Sequence, residues 1–304
     1  MPIWTVTVPA SLSESTVLLT GAEGFTGNYL QRALKDRGAR VVALDVDLRD
    51  REAIISFLKP LSIDYVIHLA AISFVPHGSD LDVYSVNLFG TQNLLEALSQ
   101  TQKTLKKVIL ASTSNVYGNA QEMPINETLC PAPTNHYAIS KLGMEHIAAL
   151  YADRFGIIIT RPFNYTGVGQ AEHFLIPKIV SHFVRKAPII ELGNIDVERD
   201  FSDVRWVAEA YVHILVSSVN EGTFNLASGH SQSVREAIAT LSRLSSHTPE
   251  IFQNPAFMRS GEIAVLRGCT RKLYSTFPAL SPPIPFENTL AWMLSDGLKP
   301  LSGC

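Results

Sequence analysis

The chain has 304 residues, 46% of them hydrophobic, and a formal net charge of −3. That length suits one large domain, or one domain with a small lobe, and that composition supplies a sizeable core. So small a charge offers no general attraction for nucleic acid or membrane surfaces, and the expected partner is a small molecule.

Residues 1–15 contain no basic segment followed by an apolar one, so no secretory signal is expected and they read as a tail. Short apolar runs at 16–20, 40–44, 64–70, 106–112 and 157–162 read as strands. Stretches with helical apolar spacing at 26–37, 50–59, 81–101 and 137–154 fall between them. This alternation predicts an α/β fold with a doubly wound parallel sheet. The apolar stretch Tyr65–Pro76 is too short to span a bilayer and reads as a buried parallel strand. After Asn164 the texture changes, and prolines 278, 282, 283 and 285 impose an extended path. Cys130, Cys269 and Cys304 are far apart and form no C-x-x-C pair. They suggest neither a zinc knuckle nor a disulfide framework, and point to a reducing, cytoplasmic setting. His68, His77 and His173 share no metal-ligand spacing, so no metal is expected and they read as structural or surface residues.

The first strand runs straight into Thr20-Gly21-Ala22-Glu23-Gly24-Phe25-Thr26-Gly27 and then a helix. Strand, glycine turn and helix form the context of a dinucleotide fingerprint, here spaced G-x-x-G-x-x-G. Glycine permits the tight turn and lets backbone approach a pyrophosphate, while the helix N-terminus presents N–H groups. A Rossmann-type dinucleotide domain is therefore expected at 16–164 with 200–226. A smaller C-terminal substrate lobe is expected at 165–199 with 227–304. Asp45 ends the second strand, where a carboxylate can accept from ribose hydroxyls and repel a 2′-phosphate. NADH is favoured on that ground, while Arg32 and Arg49 keep NADPH open.

Tyr137 and Lys141 are four residues apart on one expected helix, one turn from each other. A tyrosine titrates near pH 10, and an adjacent ammonium is expected to lower that value. The pair is a candidate acid–base device for interconverting carbonyl and alcohol.

With these motifs the chain resembles, over roughly residues 16 to 296, the extended short-chain dehydrogenase/reductases that act on nucleotide sugars. Further stretches carry the resemblance: His68-Leu69-Ala70-Ala71, Asn87 to Thr91, Ala111 to Gly118 (ASTSNVYG), and Arg161-Pro162-Phe163-Asn164. Gly193 to Val204 and Arg259-Ser260-Gly261-Glu262 look like the GDP-mannose branch. The resemblance implies a catalytic set of Thr113, Tyr137 and Lys141. It places the cofactor on Gly21, Gly24, Phe25, Thr26, Gly27, Asp45, Asp47 and Leu48, along Leu69, Ala70 and Ala71, and against Tyr137 and Lys141. It places a GDP-linked 4-keto-6-deoxy sugar on Thr113, Ser114, Asn115 and Asn164, with Lys178, Arg199, Arg259 and Glu262 at the nucleotide end. Asn115 stands where dehydratase relatives carry a glutamate, and an amide cannot serve as that acid or base. Reduction to GDP-rhamnose is the implied activity, with a 6-deoxy-talose product or 4-epimerisation as alternatives. Relatives pair through the helices at 81–101 and 137–154, so a homodimer is implied.

Overall fold

The computed structural model describes residues 11–73, 79–257 and 263–296. Most of the expected tail, His77, Arg259, Glu262 and Cys304 lie outside the described residues.

In chain order the strands are β1 (Thr16–Thr20), β2 (Arg40–Ala43), β3 (Tyr65–His68), β4 (Lys107–Ala111), β5 (Gly156–Pro162), β6 (Asn164–Thr166), β7 (Ile189–Leu192), β8 (Glu198–Asp203), β9 (Glu221–Leu226), β10 (Ser231–Ser233), β11 (Glu250–Gln253) and β12 (Val265–Leu266). The helices are α1 (Phe25–Lys35), α2 (Arg51–Leu58), α3 (Asp80–Tyr84), α4 (Thr91–Thr101), α5 (His136–Ala149), α6 (Leu175–Val184), α7 (Val204–Val216), α8 (Val234–Ser245), α9 (Arg271–Thr276) and α10 (Phe286–Asp296).

Six strands make an all-parallel sheet in the order β2-β1-β3-β4-β5-β9. All five residues of β1 are buried, as a parallel strand covered on both faces must be. Successive side chains point to opposite faces. Val17 and Leu19 accordingly join the core built with α1 and α7, through Leu30, Leu34, Trp206 and Ile214. Leu18 joins the opposite core, with Ile54 of α2, Leu94 and Leu98 of α4, and Met144 of α5. The fold is thus a Rossmann-type α/β sandwich. Strand order reverses between β1 and β3, which opens a crevice at the carboxyl ends of the strands.

A second sheet, β10-β8-β12 with β6 beside β8, continues from the end of β5. Strand β8 crosses the expected boundary at residue 200. Around it α6, α8 and α10 enclose a separate core of Ile179, Phe183, Leu241 and Leu290. A capping box, Ser233 with Glu236, starts α8.

Several expectations are corrected. The continuous helix at 81–101 is α3, a π turn at Ser85–Gly90, and α4. The buried Asn87 side chain bonds both the N–H and the carbonyl of Ile72, and Thr91 takes the Asn87 carbonyl, so side chains compete with the regular ladder. The helix expected to reach 154 stops at Ala149, followed by turns through Leu150, Tyr151 and Arg154. The strand expected to reach residue 70 stops at His68, because Ala70 gives its N–H to the Thr20 hydroxyl. Among the described residues no helix is long and apolar enough to cross a membrane. Nor does any cluster of three or more His, Cys, Asp or Glu residues offer a metal site among them.

Candidate active site

A cleft of about 510 Å³ opens at the crevice. One wall comes from the glycine turn and the segment after β3: Gly21, Gly24, Phe25, Thr26, Gly27, Leu69 and Ala71. Beyond β4, on α5 and past β5 stand Thr113, Ser114, Asn115, Tyr137, Lys141 and Asn164. Residues far apart in sequence therefore meet here.

The turn leaves room for a phosphate because side chains are kept out of it. Gly21 has a left-handed φ of +67°, and a Cβ there would lie 2.9 Å from the Ala70 nitrogen. A Cβ on Gly27 would lie 2.1 Å from the Gly21 carbonyl oxygen. Gly24 precedes α1 and supplies no side-chain cap to its first turn. An open helix N-terminus at the floor of a cleft fits the diphosphate of a dinucleotide.

Four residues expected at the cofactor do not line the cleft: Asp45, Asp47, Leu48 and Ala70. Ala70 serves through its backbone, beneath Gly21. Asp45 is exposed just past β2. Asp47 grips Arg49 through its guanidinium, at distances from 2.6 to 3.0 Å, and those bonds hold its carboxyl below the usual range. Leu48 is buried, and its carbonyl accepts from Asn93 of α4.

Thr113 caps the short 3-10 turn Ser114–Tyr117, accepting from the Asn115 N–H at 3.2 Å. It lines the cleft together with Tyr137, and its side chain acts to lower the pKa of that phenol. Asn135 caps α5 by accepting from Ala138, which fixes the start of the helix that carries Tyr137. Lys141, on the same helix, is 2% exposed and donates to the Ala111 carbonyl at 2.7 Å. Burial lowers its pKa to about 8, opposed by Glu145. Glu145 in turn holds Arg161 at 2.6 Å and accepts from Ser112, so the base of the site is a buried charged network.

The expectation that Lys141 lowers the Tyr137 pKa is not met. Tyr137 is pushed up, first by burial and then by Tyr165, with only the Thr113 side chain acting downward. The ammonium points to the end of β4 instead, and the low-dielectric wall favours the neutral phenol.

Two tyrosines of the cleft escaped the sequence reading. Tyr165 shares a 2.8 Å bond with Thr26, and its ring stacks on Phe25. It directly follows the Arg161–Asn164 stretch, which is the one sequence signal for it. Tyr211 of α7 bonds Thr160 at 2.8 Å. It reads as a core aromatic at helical spacing, and with 1% exposure it is also that.

The nucleotide-end residues are less united. Lys178 of α6 donates to the Glu191 carbonyl at 2.7 Å and sits 5.0 Å from the Phe257 ring centre. Arg199 of β8 donates to the carbonyls of Glu198 and Ile263, both at 2.8 Å. Neither lines the cleft. Asp200, within the same stretch, is buried and accepts from Ser228, Gly229 and Gly268, so it pins two loops to β8.

A family model, the NAD dependent epimerase/dehydratase family, matches residues 17–227. The chain is 36% identical to GDP-6-deoxy-D-talose 4-dehydrogenase of Aggregatibacter actinomycetemcomitans, over 84% of this chain and 89% of that protein. It is 34% identical to GDP-6-deoxy-D-mannose reductase of Pseudomonas aeruginosa, over 92% and 96%. The solved structure of RMD from Pseudomonas aeruginosa complexed with NADPH superposes with a TM-score of 0.84 at 32% identity, covering 94% of this chain and 98% of that one.

Proposed function

This chain belongs to the NAD dependent epimerase/dehydratase family, and from that premise we propose that it reduces GDP-4-keto-6-deoxy-D-mannose to GDP-D-rhamnose with NADH or NADPH. The observation that carries the reading is the convergence of Thr113, Tyr137 and Lys141 in the cleft that also holds the glycine turn. Bound there, the reduced dinucleotide supplies a hydride to C4 of the sugar. The Thr113 hydroxyl donates to the keto oxygen, and Tyr137 gives it a proton as negative charge develops. A phenol kept neutral by burial is in the protonation state that step requires. Lys141 holds its place under β4 and supplies the nearby cationic N–H groups.

Asn115 lines the cleft where elimination of water would need a carboxylic acid, which supports reduction over dehydration. At the nucleotide end, Asn164 lies in the cleft, and Lys178, Arg199, Arg259 and Glu262 extend the proposed site by resemblance. Exposed Leu81, Phe89, Ile139 and Leu150 on the α3-to-α5 face support pairing of two copies. Free Cys130 and Cys269 suit a reducing cytoplasm.

A second reading keeps the same chemistry but gives GDP-6-deoxy-D-talose, and the name of the 36% identical relative favours it. The decisive experiment offers the keto-sugar with NADH and assigns the C4 configuration of the product by proton NMR. Rhamnose supports the proposal, and talose moves the enzyme to the second reading. Turnover of the sugar without net NADH oxidation would indicate a 4-epimerase. With neither turnover nor oxidation, the dinucleotide would serve a non-catalytic sensor.

A further inference from the structure

We infer that His68 is a positioning residue which, as its Nε2–H tautomer, ties the glycine turn to the helix carrying Tyr137 and Lys141. The residue ends β3, is completely buried, and does not itself line the cleft. Its Nδ1 lies 2.7 Å from the Thr20 hydroxyl, and its Nε2 lies 2.8 Å from the Thr91 hydroxyl. Thr20 immediately precedes Gly21, and Thr91 begins α4.

Counting donors settles the proton's place. The Thr91 hydroxyl donates to the Asn87 carbonyl at 2.8 Å, so toward His68 it can only accept, and Nε2 must carry hydrogen. Nδ1 is then an acceptor. The Thr20 hydroxyl gives it a proton while accepting the Ala70 N–H at 3.0 Å. The path continues from Asn87. Its side-chain amide donates to the Ser140 hydroxyl at 3.1 Å, and Ser140 donates to the Tyr137 carbonyl at 2.7 Å. The amide orientation is fixed independently, because Asn87 Oδ1 accepts from the Ile72 N–H.

Thr20, His68, Asn87, Thr91 and Ser140 are all at most 1% exposed. Each hydroxyl in the path both donates and accepts, so every link depends on the next. The other tautomer would force Thr91 to donate to Nε2 and give up its bond to the Asn87 carbonyl. It would also set two donors against Thr20. A charged ring fares worse, since burial and the Lys141 ammonium both press its pKa down, to about 3. The network thus sets where the phosphate turn stands relative to the Tyr137 hydroxyl. It also explains the π turn, which places both Asn87 and Thr91 within reach of their partners.

The tautomer is read directly, without substrate. In protein labelled with 15N-histidine, long-range proton–nitrogen correlation distinguishes Nε2–H, Nδ1–H and charged rings. The His68 signals are those lost in His68→Gln or displaced in Thr91→Val. One neutral Nε2–H form should persist from about pH 5 to pH 8, whereas an ordinary histidine titrates near 6.5. An Nδ1–H ring, or titration in that range, overturns the assignment.

The kinetic arm rests on the proposed reduction. Thr91→Val keeps the volume but breaks the path. It should lower kcat roughly 10-fold through misplacement of the reacting groups, with the keto-sugar KM and NADH affinity within about 2-fold of wild type. His68→Gln, which retains an N–H donor, should lose less. Wild-type kcat in a Thr91→Val protein of reduced thermal stability would reduce the network to a structural brace and overturn the positioning role. If wild-type protein does not consume NADH with the keto-sugar, the proposed activity fails while the tautomer spectrum still decides the assignment.

Discussion

The phenol of Tyr165 and the hydroxyl of Thr26 share a 2.8 Å hydrogen bond across 139 residues of chain. One lies on β6 and the other on α1, so the bond joins opposite walls of the cleft. Tyr165→Phe removes it and keeps the ring against Phe25. Thr26 can then bond water, so stability should fall by only about 1 kcal/mol. NADH should bind about 3- to 5-fold more weakly as the turn loses its brace. Thermal melting and fluorescence titration measure the two effects, and wild-type values for both would show that the bond is idle.

Tyr137→Phe deletes the proposed proton donor but not its packing. Turnover should fall roughly 100-fold or more, the usual scale of general acid catalysis. NADH affinity should persist. A variant that turns over normally would remove Tyr137 from the chemistry.

Cofactor choice should follow the residues beyond β2. Asp45 is exposed there, and Arg49 is already engaged by Asp47. NADH is therefore expected to serve at least as well as NADPH, and Asp45→Ser should shift preference towards NADPH. Steady-state kinetics with both cofactors tests this. A strong wild-type preference for NADPH would implicate Arg32 or Arg49 as phosphate ligands.

Lys107 begins β4 at 1% exposure and donates to the carbonyls of Ile214, Leu215 and Ser217 at 2.8 to 3.1 Å. It caps the C-terminus of α7, whose last carbonyls have no partner within the helix. Lys107→Met should cost about 3 kcal/mol, because several buried acceptors are left unsatisfied together. Burial lowers the pKa of Lys107 and Lys141 to about 8 in the folded chain, against about 10.4 when unfolded. Between those values the unfolded chain binds more protons. Wild-type stability should therefore rise from about pH 7.5 to pH 9, as the cost of burying charge is relieved. The variant should show a smaller rise. Urea denaturation at both pH values decides, and a wild-type loss of stability across the window would contradict the assignment.

Guanine recognition gives a substrate-free test of the nucleotide end. A pocket matched to guanine leaves partners unpaired with thymine or uracil, at about 1–3 kcal/mol per unmatched group. GDP should raise the melting temperature more than dTDP or UDP does. Equal protection by all three would mean that only the diphosphate is read, and stronger protection by dTDP or UDP would exclude a GDP-sugar substrate.

Local features were legible in the sequence where one strong pattern governed them. Val17-Leu18-Leu19 running into Gly21, Gly24 and Gly27 identifies β1, the turn and α1, because strand burial and glycine chemistry both act within a few residues. Tyr137 and Lys141 share α5 for the same reason. What stayed hidden depends on distant partners. The π turn needs Ile72 and Ser140 to draw Asn87 aside. Lys141 turns to Ala111, and Tyr165 finds Thr26, only once the sheet has assembled. His68 reads as an unremarkable buried histidine until both of its nitrogens are seen to be engaged.

Strand β9 reaches the edge of the central sheet only after the chain has left it to build β6, β7 and β8. Helix α7, made on the same excursion, supplies Trp206, Tyr211 and Ile214 to the core that Leu30 and Leu34 of α1 need. A nascent chain that has emerged only as far as residue 164 therefore exposes one edge of β5 and one greasy face of the sheet. Synthesis and folding of the dinucleotide half cannot finish in step. A chain cut between β5 and α7 would leave the β5 edge without β9, and Leu30 and Leu34 without Trp206 and Ile214.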